Sequence, residues 1–224
     1  MPNFKGQFFS IIFIGKQNPQ ILNHDFLICN EVLPKEKEPF KGLIEKQSPK
    51  PFTEFISTPV IASLTYGPIS IVVEETRFQI MDKRFDDPPS SPIIQIAKIY
   101  FGKLLRYTPL QIGGINLNGI IEFADIDDEQ AFDERVGFRR KSLLSMTGEE
   151  RTRIGFIFNF PWSDGIVEVQ LPKPKIQSNP GVLNFNYEFE YKNIDAFLEY
   201  LDNFGKIYDK FNNLLQSLNL RRAQ

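Results

Sequence analysis

The chain has 224 residues, 26 basic against 28 acidic side chains and a formal net charge of −2. That near-neutral balance speaks against a protein whose main business is holding nucleic acid, because such proteins carry a strongly basic face. The single cysteine, Cys29, excludes an internal disulfide and any zinc site built on several cysteines, and it points to a reducing compartment.

With 42% apolar and 24% charged residues the composition is that of an ordinary globular domain. There are 22 Phe against 7 Tyr and 1 Trp. A phenyl ring has no polar tip, so most of these rings read as packing material.

In chain order, residues 7–15 and 21–33 read as strands joined by a turn at Gln17, Asn18 and Pro19. The first alternates poorly, which predicts burial on both faces. Its apolar run FFSIIFI (8–14) lies between Lys5 and Lys16, far short of the roughly 20 residues of a membrane span. No membrane segment or signal peptide is expected, and the default is a soluble, cytoplasmic protein. His24, the only histidine, falls within the second run, so just one Ser–His system is arithmetically open. Five-residue spacing puts His24 and Cys29 on opposite faces of a strand, which makes a poor dyad. Cys29 reads as a small buried apolar residue.

Residues 34–51, rich in Pro, Lys and Glu, read as an exposed loop. Residues 55–66 and Ile69–Glu74 pair around a turn at Gly67 and Pro68, and Arg77–Asp82 forms the next strand. A helix then starts at Ser90 or Ser91 as N-cap with Pro92 in the first turn. It runs through Ile96, Ile99, Tyr100 and Leu104 to Arg106, and Pro109 stops it. Residues 110–123 form a long strand with a bulge expected at Gly113 and Gly114.

The charge then switches sharply. Residues 122–134 hold seven acids and no base, whereas 135–153 hold six bases and two acids. A short helix is expected near 128–136. The acidic run 125–129 begins like a calcium loop, but Gln130 replaces the required glycine and Val136 the closing glutamate. A helix N-terminus accounts for it better. The set Arg139, Arg140, Lys141, Arg151 and Arg153, with Trp162 to stack on bases, is the candidate site for an anionic partner. The competing reading, that these cations pair with the acidic run or stay solvated, carries more weight, so nucleic acid is disfavoured.

Residues 152–160 and 165–171 form a hairpin turned by residues 161–165. Residues 183–191 alternate cleanly, with Leu183, Phe185, Tyr187, Phe189 and Tyr191 on one face. From Asn193 as N-cap, apolar residues recur at Ile194, Phe197, Leu201, Phe204, Tyr208, Phe211, Leu215 and Leu218. This spacing predicts one long amphipathic helix. Tyr200, Ile207 and Leu214 widen the stripe, which favours packing on the protein's own sheet over a coiled coil.

Strands, helix, strands, helix, without βαβ alternation, is an α+β order. The expected architecture is a single domain of antiparallel sheet packed against two main helices, the C-terminal one long, in two similar halves (1–108 and 109–224). No sequence repeat supports the halves. Neither a phosphate loop nor a dinucleotide fingerprint is present. No catalytic residue, cofactor or metal ligand is assigned.

Three patterns together resemble a sporadically distributed family of uncharacterised bacterial proteins. They are Arg77-Phe78 leading into a helix over 94–105, the strand end Gly119-Ile120-Ile121-Glu122-Phe123, and strand 183–191 running into the helix bearing Ile194, Phe197, Leu201, Tyr208 and Phe211. The resemblance spans 55–220. It implies an α+β fold and an accessory protein of unknown function, with no catalytic residues to carry over. The expected function is a non-enzymatic protein-interaction role, the partner being another protein or a second copy. Binding of an apolar small molecule between helix and sheet, and nucleic-acid binding through 139–153, are the alternatives.

Overall fold

The computed structural model describes residues 2–33, 54–107, 110–135, 155–162, 165–172, 181–190 and 193–222. In the first half β1 is Asn3–Gly15, α1 His24–Cys29, β2 Glu54–Ser57, β3 Ile61–Tyr66, β4 Ile69–Glu74, β5 Arg77–Asp82 and α2 Pro92–Ile99. In the second, β6 is Leu110–Glu122, α3 Ile126–Arg135, β7 Gly155–Trp162, β8 Gly165–Pro172 and β9 Gly181–Glu190. Helices α4 (Ile194–Asp202) and α5 (Phe204–Ser217) and the short β10 (Arg221–Arg222) follow.

β1 and β6, 13 residues each, pair antiparallel at the centre of one sheet, from Asn3 opposite Glu122 to Gly15 opposite Leu110. The order across the sheet is β2-β3-β4-β5-β1-β6-β9-β8-β7. On each side of the central pair the topology repeats. A long central strand leads through a short helix into a meander; the meander's last strand returns beside the central one, and a helix follows. The α+β class therefore holds, with the nine strands of that order in one antiparallel sheet. β10 pairs parallel with the start of β1, beyond the reach of β5.

Helix-facing strand positions bury Phe4, Phe9, Phe13, Phe78, Phe185 and Tyr187. Phe13 stacks on Phe101 with ring centroids 4.0 Å apart and meets Phe197 edge-on at 4.1 Å. Phe9 meets Phe204 at 5.1 Å, while Phe4 and Phe185 both meet Phe211. Close approach demands glycine twice here. A Cβ on Gly119 would lie 2.3 Å from the Phe4 ring, and one on Gly6 would lie 2.0 Å from the Phe85 ring. Asp82, 1% exposed, ties β5 to α2. It takes a two-pronged ion pair from Arg84 and a 2.6 Å hydrogen bond donated by Ser91, the N-cap of α2.

Several expectations need correction. Residues 21–33 form no strand. Asn18 caps a 3-10 turn, and Asn23 accepts from the Asp25 and Phe26 N–H groups to start α1, so two asparagine caps override the apolar run. His24 is thus helical, and the strand-face comparison with Cys29 falls; Cys29 is exposed, on the outer side of that helix. Residues 55–66 divide into β2 and β3, because Thr58 bonds Ile61 across a turn that contains Pro59. Gly113 and Gly114 sit in unbroken register, and the irregularities fall at Gly6/Phe8 and Ile14/Gly15. The first long helix becomes a π turn over Tyr100–Leu104. Pro161 and Trp162 belong to β7 rather than to the following turn.

The C-terminal helix is two helices. At Asn203 the side-chain Nδ2 and the backbone N–H both donate to the Glu199 carbonyl, which closes α4 before α5 opens. The stripe is otherwise as expected. Ile194, Phe197, Leu201, Phe204, Ile207, Tyr208, Phe211 and Leu215 are all buried against the protein's own core. Asn193 caps α4 by accepting from the Ala196 N–H.

Candidate interaction surface

Arg139, Arg140, Lys141, Arg151 and Arg153, like the 34–51 loop, lie outside the described residues. Trp162 closes β7, in register with Gly165, on the outermost strand of the sheet. The acidic run 125–129 opens α3, and Asp125 accepts from the Asp128 N–H as its cap. Among the described residues no three His, Cys, Asp or Glu side chains gather in a way that could hold a metal ion.

The feature that stands out is the far side of the sheet. Every described helix packs on one face. The π turn after α2, together with α4 and α5, meets the buried rings of β1, β5 and β9. Lys103 at the π turn pairs with Glu31 just past α1, and Arg135 of α3 donates to the Leu218 carbonyl at the end of α5. β3, β4 and β5 alternate strictly between buried and half-buried positions, so their second face is covered by no described element.

Register assembles this open face row by row. Val72, Gln79, Ile12 and Gly114 stand side by side across β4, β5, β1 and β6. The next row is Ser70, Met81, Ser10, Asn116 and Asn186, in which Asn116 donates a long 3.5 Å bond to the Ser10 hydroxyl. At the other flank Ile14 lies between Arg77 and Ile112 and is 39% exposed. The Arg77 guanidinium is held by donating 3.0 Å to the Gln79 side-chain oxygen. The surface is apolar at its centre, around β1, and turns to amides toward β9.

Charge on this face is sparse. Lys5 and Arg77 are set against Glu74, Glu122 and Glu188 at wet strand positions. Among the described side chains of this face the charges nearly balance, two basic against three acidic. The only histidine, His24, lies in α1 and not on this face. What it offers chemically is shape, apolar area and amide hydrogen bonding.

The sequence held a signal for this surface. Ile12, Ile14, Val72, Met81 and Ile112 occupy positions that alternate with the core, where polar residues are usual. In β1 that pattern predicts burial on both faces, and this holds midway along the strand, where Ser10 on the second face is 1% exposed, but not at its end, where Ile14 is 39% exposed. No family model matches the chain, and no curated relative matches it. Among the described residues no helix is long and apolar enough to cross a membrane.

Proposed function

We propose that the protein is a non-enzymatic interaction module that docks a protein partner on the open face of its sheet. The observation that carries this reading is the sidedness of the fold: all described helices on one face, and Ile12, Ile14, Val72 and Met81 on the other. Apolar side chains grouped on a surface mark an interaction site more often than scattered single ones do. The described helix–sheet layer is ring against ring, which supports a role for the surface over apolar-ligand binding in the interior. The near-even charge of the face supports a protein over a nucleic acid. The pattern likeness to sporadically distributed bacterial proteins belongs to the same reading, which gives the chain an accessory role in the cytoplasm.

A photo-crosslinking side chain at position 14, compared with one at exposed position 209 on α5, tests it in an extract of the source cells. The expected result is a discrete protein adduct from position 14 that is absent from 209 and resists nuclease. Identical adducts from both positions, no adduct, or one removed by nuclease overturns the reading.

A further inference from the structure

We infer that β2 is a pairing edge, and that its occupant is the β2 of a second copy of this chain. β2 ends the sheet, bonded to β3 on one side and to no described strand on the other. An edge strand presents a row of free N–H and C=O groups, and natural proteins usually guard it with charge, above all lysine. Here Glu54 is the only charge from 54 to 60. Instead, Phe55 is 44% exposed, Ile56 46% and Val60 58%. Three of the six exposed large apolar side chains among the described residues are thus gathered at this edge.

Each face of the strand carries one exposed apolar side chain. Phe55 lies opposite buried Leu64, at the rim of the core layer, and Ile56 lies opposite Ser63, on the open face. Strands satisfy strands, so the backbone itself selects an extended segment as occupant. Self-pairing suits this one. A two-fold axis perpendicular to the sheet keeps each face on its own side, so even-numbered residues must meet even-numbered ones and odd must meet odd. Centring the axis on Ile56 sets Ile56 against Ile56 of the second copy, Phe55 against Ser57 and Glu54 against Thr58. Apolar groups then meet on the open face, and no like charges oppose each other. The two glutamates lie at opposite ends of the ladder. So short a ladder buries less than the roughly 1,200 Å² at the low end of stable interfaces, so the dimer is weak and concentration-dependent. This inference does not rest on partner docking at the open face, and changes at Ile12 or Ile14 leave β2 untouched.

Sedimentation of the full chain tests it. The weight-average mass should climb from one chain toward two between about 10 and 500 µM. Ile56→Lys should hold it at one chain with an unchanged far-UV spectrum. A second measurement uses Cys29→Ser as background, since that thiol is exposed. Opposed Cα atoms about 4.5–5.5 Å apart can form a disulfide. Ile56→Cys should therefore cross-link to a dimer under mild oxidation while Phe55→Cys does not, because only residue 56 meets its own copy. A single-chain mass throughout, association that survives Ile56→Lys, or equal cross-linking of the two cysteine variants overturns the proposal.

Discussion

At the scale of single residues, Tyr100 is a core group that runs against its surroundings. Tyr100 is 1% exposed, its ring stacks on Phe78 at 4.7 Å, and its hydroxyl has no protein partner. A buried polar group without a partner is a standing cost. Burial also pushes its phenol well above the ordinary value of 10.0. The folded state therefore keeps this proton at pH values where the unfolded chain has released it. Stability is complete below pH 10 and falls as pH rises beyond it toward the folded value. Tyr66 and Tyr208 are shifted upward by burial in the same direction, Tyr208 with Arg222 opposing. Tyr100→Phe should leave stability unchanged near neutrality or raise it by up to about 1 kcal/mol. Its urea midpoint should also fall less steeply above pH 10 than that of the parent chain. An equal alkaline slope in both proteins would show that this hydroxyl does not contribute.

At the scale of elements, local chemistry explains both what was legible and what was not. The strict two-residue period of β3, β4, β5 and β9 and the caps at Ser91 and Asn193 act within a few residues, so they can be read along the chain. Where two local signals conflict, the cap wins. The asparagines at 18 and 23 turn an apolar run into helix, and Asn203 cuts a continuous stripe in two. Glycine is the opposite case, because its meaning lies in a distant neighbour. Gly113 and Gly114 look like a bulge and are not, whereas Gly119 makes room for Phe4 of the adjoining strand. Gly119→Ala should cost about 1–3 kcal/mol, the usual range for overpacking, since both the ring and the Lys5 carbonyl lie within 2.6 Å of the new carbon. Gly205→Ala, on the exposed first turn of α5 with nothing within 4 Å, should instead gain up to about 1 kcal/mol. Chemical denaturation of the two variants checks both signs, and the same sign in both would refute the assignment of Gly119 as a spacer.

At the scale of the whole molecule, what sequence could not reveal is the order of the sheet. β1 pairs with β6, and β6 with β9, across separations that no local pattern encodes, and the open face exists only once those pairings are made. The candidate surface was therefore visible as misplaced isoleucines and invisible as a site. The same pairings decide how the molecule comes apart. Its two topological halves could unfold separately if they met only at side chains. Instead the seam between them is the longest ladder in the sheet, running from Asn3 to Gly15 along the full length of β6. Phe13 reinforces it by touching Phe101, just past α2 of the first half, and Phe197 in α4 of the second. Lys98 of α2 pairs with Asp202 of α4, and Arg222 of the second half donates to the Phe85 and Asp86 carbonyls of the first while lying over the Phe85 and Tyr208 rings. Opening either half would break a ladder and uncover a shared aromatic core, so the two halves should unfold as one cooperative unit. Native-state hydrogen exchange should accordingly give the amides of β1, β5, β6 and β9 a common opening free energy equal to that of global unfolding. Phe13→Ala should lower all four together, by about 3–5 kcal/mol. If β4 and β5 opened at a distinctly lower free energy than β9, or if Phe13→Ala weakened only the first half, the two halves would be separate folding units joined at a seam.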